Sequence, residues 1–319
     1  MVRWNKCTRH VFLGVCLLVV ALFPPISSAS QVSVAVIYPD VAPPYNTILL
    51  QVIEGINQKP DVKIREYRIS NETDTSTLRK QLDDKNTEVI ISLGRRGVEV
   101  MQALEWKKPV VIGAVSLTPE LVDAYRNTMN AIRLTPDPEL LFSRLRELSP
   151  QARRIFVITS ARKDSWLLIS ANDAVRKNNF ELIVHEALDI RAAANLYITV
   201  MESMKPDTDV LWLPPDDESF DIRNILPVIL QSSWDRRIVV FCSNPAHVKR
   251  GALFALYPDN KKMGNRLAAL AVDAVKNGGS RIFPAQDVFI AVNVRTSDHL
   301  GLNRITRRPH DFDVVYPSQ

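Results

Sequence analysis

Cysteine is scarce in this chain of 319 residues: there are three, Cys7, Cys16 and Cys242. Two of them fall within the first 30 residues, MVRWNKCTRHVFLGVCLLVVALFPPISSAS. That stretch has the three parts of an export signal: Arg3, Lys6 and Arg9 without an acid, the apolar run VFLGVCLLVVALF, and small residues after the break at Pro24-Pro25. The run falls short of the roughly 20 residues that a membrane-spanning helix needs. Cys16 lies inside the run rather than after it, which argues against a lipid anchor there. Cleavage is expected after Ala29, making residues 1–29 a signal peptide, with an uncleaved anchor as the alternative. Cys242 then stands alone, so no internal disulfide forms and no metal site can rest on cysteine. An exported chain without staples must be held by a packed core, and about 290 residues suffice for one.

Catalytic motifs are also missing. The five histidines, His10, His185, His247, His299 and His310, are scattered without metal-ligand spacing or a nearby nucleophile motif. There is no G-x-x-x-x-G-K, no G-x-S-x-G and no H-E-x-x-H. An enzyme is therefore not expected, and neither is a cofactor or a metal. Excess positive charge is absent too, because the formal +5 falls to +2 once Arg3, Lys6 and Arg9 leave with the signal. Nucleic acid is accordingly not an expected partner. No later apolar run reaches membrane length, and no internal repeat or low-complexity tract occurs.

What the chain does have is a series of short β-branched runs. They are VSVAVIY (32–38), VKIREYRI (62–69), EVIISL (88–93), VVIGAV (110–115), IFVIT (155–159), ELIVHEA (181–187), VLWL (210–213), IVVFC (238–242) and VFIAVNV (288–294). Continuous apolar runs suit strands buried on both faces. Helical patterns such as LRKQLDD, VEVMQALEW, LLISANDAVRKNN and RNILPVILQSSW lie between them. The alternation predicts an α/β protein with doubly wound parallel sheets. The runs are too many for one sheet at this length. The pattern divides near MNAIRLTPDPE (129–139), where prolines interrupt, and two similar lobes follow. A late strand, a Tyr-Pro-Asp turn and a helix ending at Gly278-Gly279 come after an already complete second series, as if the chain crossed back to the first lobe.

The segment KRGALFALYPDNKKMGNRLAALAVDAVKNGG, with VFIAVNVRTSDHLGL after it, resembles the ABC-transporter substrate-binding proteins related to tryptophan and tyrosine importers. EVIISLGRRGVEVMQ, PVVIGAVSLTP, LLFSRLRELSPQARRIFVITS and VLWLPPDDES fit the same family in order, so the resemblance covers residues 32 to 302. It implies the type I periplasmic binding-protein fold, two doubly wound parallel-sheet lobes with a cleft between them. The expected division is 31–133 plus 257–280 for lobe 1, 134–256 plus 281–302 for lobe 2, and a tail at 303–319. The chain departs from the family's pattern at two loops: Gly94-Arg95-Arg96-Gly97 replaces Gly-Thr-Pro-Ala, and Thr118-Pro119 replaces Asp-Pro. Glycine is scarce throughout, at ten residues.

In open α/β sheets ligands sit beyond the carboxyl ends of the strands. That rule selects Pro39-Asp40, Gly94, Arg95, Arg96, Ser116, Leu117, Thr118, Thr159, Ser160, Pro215, Asp216, Asp217, Ser243 and Asn244. Gly94 suits close backbone approach. Arg95 and Arg96 either grip an acid group bidentately or are solvated at a helix start. Asp216 and Asp217 either accept an ammonium or cap the next helix. Tyr257 and Asp259 sit at the return crossing, where Asp259 meets the ligand or caps its helix. Ser116, Thr118, Thr159, Ser160 and Ser243 are hydroxyl donors.

The resemblance implies a periplasmic solute-binding protein. It would take a small amino-acid-like or anionic ligand and deliver it to an ABC permease in the inner membrane. The alternative is a ligand-sensing protein of the same fold whose partner is a membrane sensor.

Overall fold

The computed structural model describes residues 31–317 except 44, 118, 126–128, 161–164, 216–219, 303–304 and 306. The expected signal peptide, residues 1–29, lies outside them. Helices are described at Tyr45–Asn57 (α1), Thr75–Asp84 (α2), Gly94–Ala103 (α3), Pro119–Ala124 (α4), Pro138–Leu148 (α5) and Trp166–Lys177 (α6). They continue at Ile190–Ser203 (α7), Leu226–Arg236 (α8), Pro245–Arg250 (α9), Asn260–Asn277 (α10) and Val294–Leu300 (α11).

The β-branched runs assemble into two sheets. The first holds β1 (Val32–Pro39), β2 (Val62–Ile69), β3 (Val89–Leu93), β4 (Val110–Gly113), β5 (Met129–Pro136) and β11 (Ile282–Ala285), in the order β11-β5-β4-β3-β1-β2. All its pairings are parallel. The second holds β6 (Arg154–Thr159), β7 (Glu181–Glu186), β8 (Asp209–Leu213), β9 (Val239–Cys242), β10 (Phe254–Pro258), β12 (Val288–Asn293) and β13 (Val314–Tyr316), in the order β13-β12-β10-β9-β8-β6-β7. Its pairings are parallel except β10 with β12, which is antiparallel. Helices cover both faces of each sheet, which is why the central strands β3, β4, β8 and β9 are buried along their full length.

The late helix α10 belongs with the first sheet. Its residues Met263, Leu267, Ala268 and Ala271 share one apolar cluster with Val34 and Val36 of β1, Ile91 of β3 and Val111 of β4. It also lies against α1 at backbone contact. A Cβ on Gly55 would stand 1.9 Å from the Lys261 carbonyl oxygen, and one on Gly264 would stand 1.9 Å from that of Val52. Two glycines therefore let the helices touch main chain to main chain, a separation that no side chain permits. The Asp259 carboxylate accepts from the Lys262 N–H at 3.1 Å and caps the helix start.

The expected division near 129–139 falls where the first series ends: Met129–Pro136 is a nearly fully buried strand of the first sheet, β5, with Pro136 its last residue and Pro138 the first of α5, so the boundary expected between 133 and 134 moves past Pro136. Two further readings are revised. Ile282–Ala285, assigned to the second lobe, pairs with β5 in the first sheet. Within the expected tail, Val314–Tyr316 adds a strand beside β12, as its β-branched and aromatic composition suits.

Candidate functional site

The chain passes between the sheets three times, and the passages lie side by side. The first follows β5, the second follows β10, and the third runs through Gln286 and Asp287 between β11 and β12. The Asp137 N–H donates to the Ala285 carbonyl at 3.0 Å, and the Asp259 N–H donates to the Asp287 carbonyl at 3.0 Å. Arg266 of α10 reaches the third passage at both residues, at 2.7 Å to Gln286 Oε1 and 3.3 Å to Asp287 Oδ2.

Beside these passages the carboxyl ends of both sheets face a cleft of about 790 Å³. From the first sheet it is lined by Pro39, by Gly94 and Arg95 after β3, by Ala114 and Ser116 after β4, and by Leu134, Thr135 and Pro136 of β5. From the second come Leu213, Pro214 and Pro215 after β8, Cys242 through Pro245 after β9, His247 of α9, and Tyr257 and Pro258 of β10. Val41 and the first turns of α1, with Tyr45, Ile48 and Leu49, close one wall, and Asn260 completes the lining. Tyr45 is 69% exposed and Ile48 38%, so this wall offers apolar surface to the cavity rather than to a core.

The sequence candidates divide. Gly94, Arg95, Ser116, Ser243 and Tyr257 come together around the cleft. Gly94 has a φ of +71°, which favours glycine, and a Cβ there would touch Pro39 at 3.4 Å. It opens α3, whose start receives no side-chain cap. Arg95 is exposed and makes no ion pair among the described residues. Tyr257 lies 5.8 Å from Phe289, ring centre to ring centre, and burial, with Asp313 and Tyr316 nearby, raises its phenol above the ordinary value.

Arg96 does not line the cavity. One turn geometry sends it the other way, to Glu99 Oε2 at 3.1 Å and the Asn71 carbonyl at 3.4 Å. Thr159 ends β6, one strand further out than β8, with Ser160 just beyond it, and neither reaches the lining; Thr159 is 1% exposed. Asp259 is buried at the second passage, where it caps α10 and meets Lys262 Nζ at 3.3 Å; the capping alternative is the one its geometry follows. Asp40 pairs with Arg68 beside the rim. Thr118, Asp216 and Asp217 lie outside the described residues.

Sequence reasoning missed the wall formed by Tyr45, Ile48 and Leu49, and it missed His247. The excess of large apolar side chains on α1 was the available signal, since a helix with one buried stripe does not need Tyr45 and Ile48 as well. His247 is 6% exposed. Its Nε2 lies 3.4 Å from Asn244 Nδ2, and its Nδ1 is buried without a hydrogen-bond partner. Burial first, and then the nearby Arg250, lowers its pKa. The Cys242 thiol, also buried, donates to the Asn244 carbonyl at 3.3 Å.

The relatives share this architecture. A family model described as ABC transporter substrate binding protein matches residues 50–288. A tyrosine-binding protein of Clostridioides difficile (strain R20291) is 25% identical over 167 residues, covering 51% of this chain and 46% of that protein; the match thus spans less than half the relative's length. Among solved structures, the ligand-free, open form of a substrate binding protein with adhesive properties from Clostridium difficile superimposes with a TM-score of 0.64 at 14% identity, covering 90% of this chain and 99% of that one. A domain from Streptococcus pneumonia in complex with L-Trp gives 0.53 at 16% identity, with 90% and 100% covered. At such identities the structural likeness is one of fold, and that fold is the two-lobed periplasmic binding-protein fold. Its members here are binding proteins rather than enzymes. The family model, which spans most of the chain, decides membership: this protein belongs to the ABC transporter substrate binding protein family.

Proposed function

We propose that this protein is exported to the periplasm, captures a small amino-acid-like or anionic solute between its two lobes, and delivers it to an ABC permease in the inner membrane. The observation that carries the reading is the cleft of about 790 Å³ at the carboxyl ends of both sheets. That is where open α/β sheets receive ligands, and its volume falls in the range of small-molecule sites. The curated relative described above is a tyrosine-binding protein, and one fold neighbour was solved in complex with L-Trp. Three adjacent passages give the lobes a common line about which to close, so that capture and a change of shape go together. A permease would read that change.

The proposal is tested by a thermal-shift screen of amino acids and small organic anions on the mature chain. A ligand at 100 times its Kd adds about 2.7 kcal/mol of stability. Ser243→Trp, which fills the cleft from the second-sheet side, should abolish the shift while the protein still folds. A shift that survives Ser243→Trp places binding elsewhere and ends the reading. Delivery is tested separately, by ligand-dependent stimulation of ATP hydrolysis by the cognate permease in liposomes.

A further inference from the structure

The large apolar side chains that stay exposed are not spread evenly. Of the ten among the described residues, Tyr45 and Ile48 belong to the cleft wall, and four others, Leu188, Ile190, Ile198 and Val228, sit on or just before α7 and α8. Ile190, Ala194 and Ile198 recur at every fourth residue, so they form one stripe along α7. α7 packs beside α8. The groove between them is lined by Ala194, Ile198 and Met201 from one side and by Ile225, Val228 and Ile229 from the other. None of these residues lines the cleft. Apolar surface gathered in this way on an outer flank marks a contact with another macromolecule.

Two charges at one end of the groove select the partner. Glu202, near the end of α7, and Arg236, the last residue of α8, both line the groove and both are exposed. They stand at the same level, since Arg236 Nη1 donates to the Glu202 carbonyl at 3.4 Å. The guanidinium takes the carbonyl and not the carboxylate, and neither side-chain charge enters an ion pair among the described residues. α7 and α8 each connect parallel strands of one sheet and therefore run in the same direction. A two-fold axis between them, parallel to both, sets α7 of one copy on α8 of the other. Glu202 then meets the partner's Arg236, Arg236 meets the partner's Glu202, and Ile198 lies over the partner's Val228. The groove is complementary to itself in charge and in apolar surface alike.

We propose that the α7–α8 face is a contact between two copies of this chain, related by that two-fold axis. Burial of the aliphatic stripes supplies the attraction, and the two crossed Glu202–Arg236 pairs fix the register. Helices of 14 and 11 residues are about 21 and 17 Å long, so the face is small. Its dimer belongs to the weaker class of interfaces, with a dissociation constant on the order of 10 µM. Each copy keeps its own cleft, because the contact uses no residue of the cleft lining.

Sedimentation velocity on the mature chain from about 1 µM to about 300 µM tests this, and a concentration-dependent dimer is expected. Val228 is 56% exposed and Ile198 49%, so a change at either leaves the fold intact. Val228→Glu and Ile198→Glu should each leave a monomer throughout, because the new charge would be buried twice per dimer. Glu202→Arg sets like charges against the partner's Arg236 and should weaken the dimer about tenfold, as should Arg236→Glu. The chain carrying both exchanges should regain the parent's affinity, which a merely structural role of either residue would not produce. A parent chain still monomeric at about 300 µM overturns the inference and leaves the face to a different partner. So does a dimer that persists in Val228→Glu and Ile198→Glu, or a double exchange that fails to restore what the single changes lose.

Discussion

Around the first sheet the fully buried side chains are aliphatic, with Trp106 the aromatic exception among the described residues of its two clusters. Around the second, Phe142 of α5 lies edge-on to Trp212 at 5.3 Å, Phe241 at 6.1 Å and Phe180 at 6.5 Å, and Phe241 stacks on Phe254 at 5.4 Å. The aliphatic half gains closeness from Gly55 and Gly264, where two helices meet at their backbones. The aromatic half gains area per residue and edge-to-face geometry from its rings. One fold, used twice, is thus filled in two ways: by removing side chains from an interface and by enlarging them.

Replacement of the ring at the centre of the aromatic group should have the largest effect. Phe142→Ala removes three edge-on contacts at a fully buried site, and a loss of about 3–5 kcal/mol is expected in denaturant unfolding. Hydrogen exchange should locate the loss in β8 and β9 rather than β3 and β4. The aliphatic half breaks in the opposite manner, by addition. Gly264→Ala places a methyl where a carbonyl oxygen already stands at 1.9 Å, forcing α1 and α10 apart. The expected cost is about 1–3 kcal/mol despite alanine's better helix propensity, seen as faster exchange in α1. Unchanged stability of Gly264→Ala would mean that the helices have slack and that closeness is not what holds this half.

Acid separates the halves more gently. Burial lowers the pKa of His185, and burial with Arg250 lowers that of His247; both belong to the second-sheet half, and the first-sheet strands and their helices contain no histidine. A histidine whose folded pKa lies below its unfolded value takes up its proton more readily on unfolding. Its contribution is intact above the unfolded pKa and is lost as pH falls through it. From about pH 7 to about pH 5 the second half should therefore lose protection before the first. His247→Gln should flatten that decline, and a decline of the same slope in His247→Gln and His185→Gln would assign it to other groups.

The same contrast bears on what could be read in advance. The central strands were legible because β-branched runs buried on both faces carry few polar residues to blur them, and the packing of α10 on the first sheet follows the expectation drawn from its position after a complete second series. β5 was not read as a strand because Pro136 and Pro138, which do mark the end of the first series, drew the stretch before them into the break. For the site, loops at strand ends located Gly94, Arg95, Ser116 and Ser243, since that rule depends on topology alone. It could not separate Arg95 from Arg96, which are adjacent in sequence and diverge by one step of helix rotation. Nor could it show that six prolines far apart in sequence meet, because their convergence is a property of two sheets.

The contact between α1 and α10 also sets an order of events. Asn260 Nδ2 donates to Gln51 Oε1 at 2.9 Å across 209 positions of chain, and Lys261 meets Glu54 at 2.6 Å across 207. Until the carboxyl-terminal third is available, the first sheet has one face of α1 and the apolar groups of Val36, Ile91 and Val111 without their cover. A nascent chain emerging amino end first therefore carries an unfinished lobe through most of its synthesis. Closing so long a loop is slow compared with local pairing, and exposed apolar surface in the interval invites aggregation. The second-sheet half is interrupted as well: its α5 through β10 are contiguous in the chain, but β12, α11 and β13 follow α10 and complete it last.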